Sequence, residues 1–319
     1  MPLRLSPGAY RVVTLAALAA LAIIVVTGAT VRLTGSGLGC SDWPECEEGQ
    51  FFAELDEPHA IAEFANRLFT GVVSASVILA VLGSLARRPR RRDLTWLSLG
   101  LVAGVLAQIV WGGFTVWSKL DPRFVMGHYL ISSLLIWNAV VLSVRAGAGG
   151  RPRGRLVPHR VHDASRAACA LTALVLVTGT IVTNTGPHAG DEDARRFGFE
   201  IGEVARLHAG TVLLLLITVV AVLWAAYRAG VPEDVRRRGG WVVGAVVVQG
   251  AIGYVQYFTG VPVLLVGLHV LGSVLVLIAV VRFHLGLSER PPLESTEPAP
   301  REATDVGPHA VVASTAEAR

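Results

Sequence analysis

The chain has 319 residues, 52% of them hydrophobic and 16% charged, and a net charge of +4. Its apolar residues gather in blocks of about twenty, the length a helix needs to cross roughly 30 Å of hydrocarbon, so the composition specifies an all-α polytopic membrane protein. The positive balance is not a nucleic-acid signal, because the basic residues sit in short loops between the blocks, where they report orientation in a bilayer.

The first block begins near Tyr10 and runs for about twenty-four residues, too long for a signal-peptide core and with no small-residue cleavage site behind it, so it is expected to stay in the mature protein. Eight spans follow from the pattern, at about 10–33, 61–86, 94–117, 124–146, 164–187, 203–228, 240–260 and 262–288. Arginine supplies every basic residue except Lys119 and crowds the loops after the second, fourth and sixth spans, from Arg87 to Arg92, Arg145 to Arg160 and Arg228 to Arg238. Those loops and both termini are expected on the cytoplasmic side of the cell (plasma) membrane. The loop 34–60 carries Asp42, Glu45, Glu47 and further acids without Lys or Arg, and is expected outside. Residues 289–319 are rich in Pro, Glu, Ser, Thr and Ala without apolar periodicity, which predicts a disordered cytoplasmic tail.

The chain is also duplicated. Gln108, Gly112, His128 and Ser132 recur as Gln249, Gly253, His269 and Ser273, each 141 residues on, and Val26-Thr27-Gly28 with Thr34-Gly35 recurs as Val177-Thr178-Gly179 with Thr185-Gly186, 151 residues on. Spans one to four thus repeat as five to eight. A unit with an even number of spans repeats in the same direction, which predicts two tandem four-helix bundles related by a pseudo-twofold along the membrane normal. The expected units are 1–150, with its outer loop, and 151–288. Gly100 and Gly104, four residues apart, are read as close helix contacts.

The outer ends of the even-numbered spans hold Asn66, His128, His208 and His269, with Asn66 standing 142 residues before His208 where the repeat calls for a histidine. Ionisable groups inside lipid are costly and mark function. Facing imidazoles in a bundle core are a common way to hold haem iron from both sides, and a zinc site would want a third or fourth ligand that the spans do not offer. In the first unit Glu63 shares a helix face with Asn66 and Arg67, whereas the matching residue of the second unit is Ala205. A carboxylate beside one histidine suggests a reacting site, and paired histidines without it suggest a saturated redox centre; an interfacial Glu63–Arg67 ion pair is the plainer alternative. Cys40 and Cys46 lie in the outer loop, where an oxidising compartment lets a bridge form, structural or redox-active. Cys169 reads as a small core residue, His188 as a loop or propionate contact, and His59 is near enough in sequence to Glu63 to matter.

The motifs G-L-G-C-S-D-W-P-E-C after span one, E-F-A-N-R opening span two, Gly127-His128, T-G-P-H-A-G-D after span five, and His208 with His269 resemble those of the haem A synthase family of cytochrome oxidase assembly enzymes. The resemblance covers roughly residues 10–288. It implies oxidation of the C8 methyl of haem O to a formyl group, by successive hydroxylations to a geminal diol that loses water. It further implies haem b as cofactor between His208 and His269, and substrate haem near Glu63 and His128, with Asn66 and Arg67 beside it and His128 on its iron. Cys40 and Cys46 match the family's outer-loop cysteine pair. The partners expected are haem O, membrane lipid, haem O synthase and an electron-transfer protein, with no nucleic acid. Two departures stand out. Asn66 replaces the histidine of an E-x-x-H-R motif, leaving His128 alone or joined by His59 or another group, and residues 188–202 lack a second cysteine pair. Two rival readings of the same residues are a haem b electron carrier and a quinone-linked thiol oxidoreductase.

Overall fold

The computed structural model describes residues 4–54, 56–148 and 154–289. Eight helices form it: α1 Pro7–Leu33, α2 Pro58–Ala86, α3 Arg92–Trp117, α4 Pro122–Ala146, α5 His159–Thr185, α6 Ile201–Arg228, α7 Glu233–Phe258 and α8 Val263–Gly286. Each is long and apolar enough to cross a membrane, and the protein is a multi-pass membrane protein. Large apolar side chains such as Trp96, Leu134 and Leu264 remain exposed on the outside of the bundle, where lipid would meet them.

Local chemistry sets the ends. Ser6 caps α1, its Oγ accepting from the Ala9 amide at 3.1 Å, and Pro7 follows at the first helical position, where the missing N–H costs nothing. α7 begins at Glu233, earlier than the hydrophobic pattern predicts, because ion pairs Glu233–Arg236 and Asp234–Arg238 carry the helix through a polar first turn. α5 likewise starts at His159, ahead of its apolar stretch. Gly154–Arg155 (β1) pairs antiparallel with Ser288–Glu289 (β2), so Glu289, assigned by sequence to the tail, is in a short strand. The rest of the expected tail, 290–319, lies outside the described residues.

Each half is a four-helix unit in which α1 packs on α2 and α4, and α3 on α2 and α4; α5 to α8 repeat the arrangement. Between halves α4 meets α5 and α8, and α1 meets α8. Exchanging α1–α4 with α5–α8 maps this pattern onto itself, as a pseudo-twofold requires. The duplication reaches the backbone of single turns: Lys119 and Leu120 after α3, and Gly260 and Val261 after α7, all have positive φ. Leu120 donates to the Thr115 carbonyl at 2.9 Å and Val261 to the Gln256 carbonyl at 2.7 Å. The left-handed pair is thus kept even where Lys119 stands at the glycine position.

Gly104 is a contact point, since a methyl group there would stand 2.4 Å from Leu135 Cδ2 on α4. α8 faces two ways, giving Val274, Leu277 and Val281 to the core of the first half and Val276, Val280 and Phe283 to that of the second. Tyr129 Oη and Ser273 Oγ, 2.6 Å apart, add a polar bond across the same boundary.

Candidate functional site

α6 and α8 stand diagonally in the second half, each packed against α5 and α7. Their imidazoles, His208 and His269, point at each other across the bundle with ring centres 6.4 Å apart and planes 73° from parallel. Both rings lie over bare backbone. A Cβ on Gly179 of α5 would stand 3.1 Å from His208 Cε1, and one on Gly253 of α7 would stand 3.1 Å from His269 Cε1. Thr178 Oγ1 lies 3.1 Å from His208 Nδ1 and occupies that nitrogen. Gln249 Nε2 donates to the His269 carbonyl at 2.6 Å, and His269 Nδ1 is buried without a partner. Metal–imidazole bonds of about 2 Å on each side of one ion would put ring centres roughly 6 Å apart, so the observed pair fits a haem iron held from both faces.

The first half builds the same frame with different chemistry. His128 on α4 is the counterpart of His269. Gln108 Nε2 donates to its carbonyl at 3.0 Å, a Cβ on Gly112 would stand 3.6 Å from its Cε1, and its Nδ1 is buried without a partner. Asn66 on α2 takes the place of His208: Thr27, the repeat partner of Thr178, donates from Oγ1 to Asn66 Oδ1 at 2.8 Å, and Gly28 lies beneath its amide. The first half therefore offers one imidazole where the second offers two.

A braced loop closes the acidic end of the first half. Cys40 and Cys46 form a disulfide, both buried against Ala60. Glu63, only 7% exposed, accepts the Cys40 amide on Oε2 at 2.9 Å and the Arg67 guanidinium on Oε1 at 2.6 and 3.1 Å. Arg67 in turn donates through Nη1 to the carbonyls of Asp42 and Glu45 at 3.0 and 2.9 Å. In the second half, alanines stand at both matching positions, 205 and 209. Trp43, at the loop's crest, lies against Gly113, next to the Gly112 seat of His128, and edge-on to Trp117 with ring centres 5.8 Å apart.

The structure thus brings His208 and His269 together, and binds Glu63 and Arg67 to the cysteine loop; Asn66 turns to Thr27. His59 does not join Glu63, because its Nδ1 lies 2.9 Å from Ser36 Oγ. His188 serves the loop, donating from Nε2 to the Val261 carbonyl at 2.8 Å. His162 and His284 sit together at the arginine-rich end, ring centres 5.0 Å apart, and the fifteen residues from His269 to His284 put this pair about 22 Å along α8 from the other. Sequence reasoning missed the roles of Thr27 and Thr178, of Gln108 and Gln249, and of the four glycines beneath the polar groups, although all stand within the repeated motifs.

A family model described as cytochrome oxidase assembly protein matches residues 11–189. Similar proteins include haem A synthases of Bacillus pumilus, 27% identical over 71% of this chain and 77% of the relative, and of Symbiobacterium thermophilum, 29% identical over 77% and 84%. A haem A synthase of Rhizorhabdus wittichii is 26% identical over 83% of this chain and 90% of its own.

Proposed function

The chain belongs to the cytochrome oxidase assembly protein family, and from that premise we propose that it is a haem A synthase, oxidising the C8 methyl of haem O to a formyl group in the membrane. The observation that carries the reading is the inequality of the two frames, with facing imidazoles in one half and an imidazole facing an amide in the other. In this reading His208 and His269 hold a resident haem b, which supplies redox capacity that side chains lack. With both imidazoles committed, the second half has no position left for a reaction. His128 holds and orients the substrate haem alone, because an amide is a poor iron ligand and Asn66 Oδ1 is already taken by Thr27.

The chain's own groups then do three things at the first half. The Gln108 bond to the His128 carbonyl and the Gly112 seat fix the imidazole before substrate arrives. The cysteine loop, held by Glu63 and Arg67 and packed through Trp43 onto α3, shields the site from bulk water, which strengthens electrostatics inside it. Glu63 places negative charge at the site's edge, where it favours positive charge developing on the methyl carbon.

The arginine-rich loops and both termini are placed in the cytoplasm, and the sites near the outer surface. An electron-transfer partner and haem O synthase are the expected protein contacts. The thiol-oxidant rival is disfavoured because both sulfurs are buried, 0% and 1% exposed, and exchange needs access.

The test is the pigment inventory of purified full-length protein under turnover. Haem b together with haem O or haem A is expected; haem b alone, with no conversion, would leave an electron carrier. Glu63→Gln is expected to keep haem b and the Cys40–Cys46 bridge while losing about 10²–10⁴ in haem A formation, the scale of a lost charge or proton role. Wild-type conversion by this variant would reduce Glu63 to a brace.

A further inference from the structure

The last turn of α1 carries a guanidinium out of its own half. Arg32 Nε donates to the His188 carbonyl at 2.7 Å and Nη2 to the Thr183 carbonyl at 3.1 Å. Arg196 Nη2 donates to the carbonyl of Pro187 at 2.9 Å, so two guanidinium groups meet on adjacent carbonyls of the segment after α5. Among the described residues neither forms an ion pair with a carboxylate. Nη1 of Arg32 has no hydrogen-bond acceptor among them either, so donors remain to spare. A half-buried cation without a counter-ion is costly, and points to an anion that the protein chain does not itself supply.

The arrangement is fixed from several sides. Gly190, with φ of +104°, lets the Arg32 stem pass, since a Cβ there would stand 3.4 Å from Arg32 Cγ and 3.0 Å from Leu120 Cδ1. The Gly37 amide donates to the Gly190 carbonyl at 2.8 Å, and His188 ties the segment to Val261. It also stands beside the paired imidazoles. Thr183 lies four residues beyond Gly179, the seat of His208, which is about 6 Å further along α5. Leu33 Cδ1 is 3.6 Å from the Cβ position of Gly267, two residues before His269. By the 151-residue repeat, Arg32 corresponds to Thr183 itself, so the second half returns no such cation to the first.

We propose that Arg32 and Arg196 form a carboxylate clamp, contributed across the boundary between halves, for the propionate groups of the haem held by His208 and His269. The inference rests on the reading of that pair as axial ligands. A guanidinium presents planar paired donors that match a carboxylate, and propionates are the carboxylates a haem carries.

Full-length protein, produced haem-free and placed in nanodiscs of zwitterionic lipid, is titrated with protohaem and with its dimethyl ester, reading the low-spin absorption and the dissociation constant. Wild type is expected to bind the free acid about tenfold or more tightly than the ester, the scale of a charge-assisted hydrogen bond. In the double variant Arg32→Gln with Arg196→Gln the ratio is expected to fall to about one, and Arg32→Lys, which keeps the charge, should retain part of the preference. The acid and ester comparison on wild type needs no variant to fold. Equal affinity for both, with the low-spin band formed by each, would overturn the clamp and leave the axial pair standing. No low-spin band with either would overturn the axial reading and the clamp with it. Loss of the preference in nanodiscs of anionic phospholipid would assign the anion to a lipid phosphate and overturn the propionate.

Discussion

Substituting His208 or His269 removes one of two facing imidazoles that contribute little to packing, since each ring rests on a glycine. His208→Ala and His269→Ala are each expected to lose the low-spin haem b absorption while helical circular dichroism stays at the wild-type level; a full low-spin spectrum in both would dismiss the pair as ligands. At this scale the sequence showed where the polar groups stand, because the repeat aligns Asn66 with His208 and His128 with His269 without a gap. What each of them touches was not legible. Glu63 reads as a carboxylate three residues from Asn66, yet its partners include the Cys40 backbone amide from another segment, and no pattern of side chains announces a main-chain donor. Gln108 and Gln249 were visible as repeated residues, but their bonds to the carbonyls of His128 and His269 depend on how two helices cross.

Among the elements, the loop from Cys40 to Cys46 is braced twice, by its disulfide and by Glu63 with Arg67. Closing so short a loop stabilises by about 2 kcal/mol in the chain-entropy model, too little to decide the stability of eight spans. Cys40→Ser with Cys46→Ser should therefore fold and keep haem b, and show its defect as slower haem A formation, measured by pigment extraction. A variant without haem b would show that the loop supports the whole bundle. The start of α4, which carries His128, depends on Asp121, whose carboxylate accepts from the Arg123 amide and side chain at 2.9 to 3.0 Å. The Arg123 hydrogen bond holds that carboxyl down at about 2. Because the folded value lies below the usual one near 4, its stabilisation is present above about pH 4 and lost as pH falls towards 2. Thermal melts in detergent should show Asp121→Asn less stable than wild type at pH 7, with the gap closing as pH falls through that window; a gap independent of pH would deny the ion pair its part. Helix positions were largely legible, because hydrophobic length is what a bilayer demands. The early start of α7 was not, because its first turns are held by ion pairs that hydropathy counts against a span.

For the whole molecule, the even repeat fixes which loops share a side. The N-terminal segment lies on the arginine-rich side, where the Leu5 amide meets the Ala86 carbonyl at 3.1 Å, and the residues after α8 pair with Gly154–Arg155 there. With Arg90→Cys and Phe52→Cys introduced singly, a membrane-impermeant maleimide should label position 52 in intact cells and position 90 only after lysis; the reverse would invert the topology. The native cysteines interfere little, since Cys169 is buried and the other two are bridged. The duplication was legible as a matching of motifs, but the boundary between halves was not. α8 builds both cores, Tyr129 reaches Ser273, and Arg32 crosses to the loop after α5, contacts that arise only once two similar units face each other.

The glycine beneath Asn66 bears on how the asymmetry arose and how readily it can be undone. Gly28 leaves the same bare backbone under the amide that Gly179 leaves under His208. Asparagine and histidine codons differ by a single base, so one point mutation in the gene would set an imidazole at residue 66 on a seat already shaped for it, with Thr27 in place to orient the ring. The difference between the two halves at this position is thus written in one nucleotide, while the scaffold still carries the symmetric form.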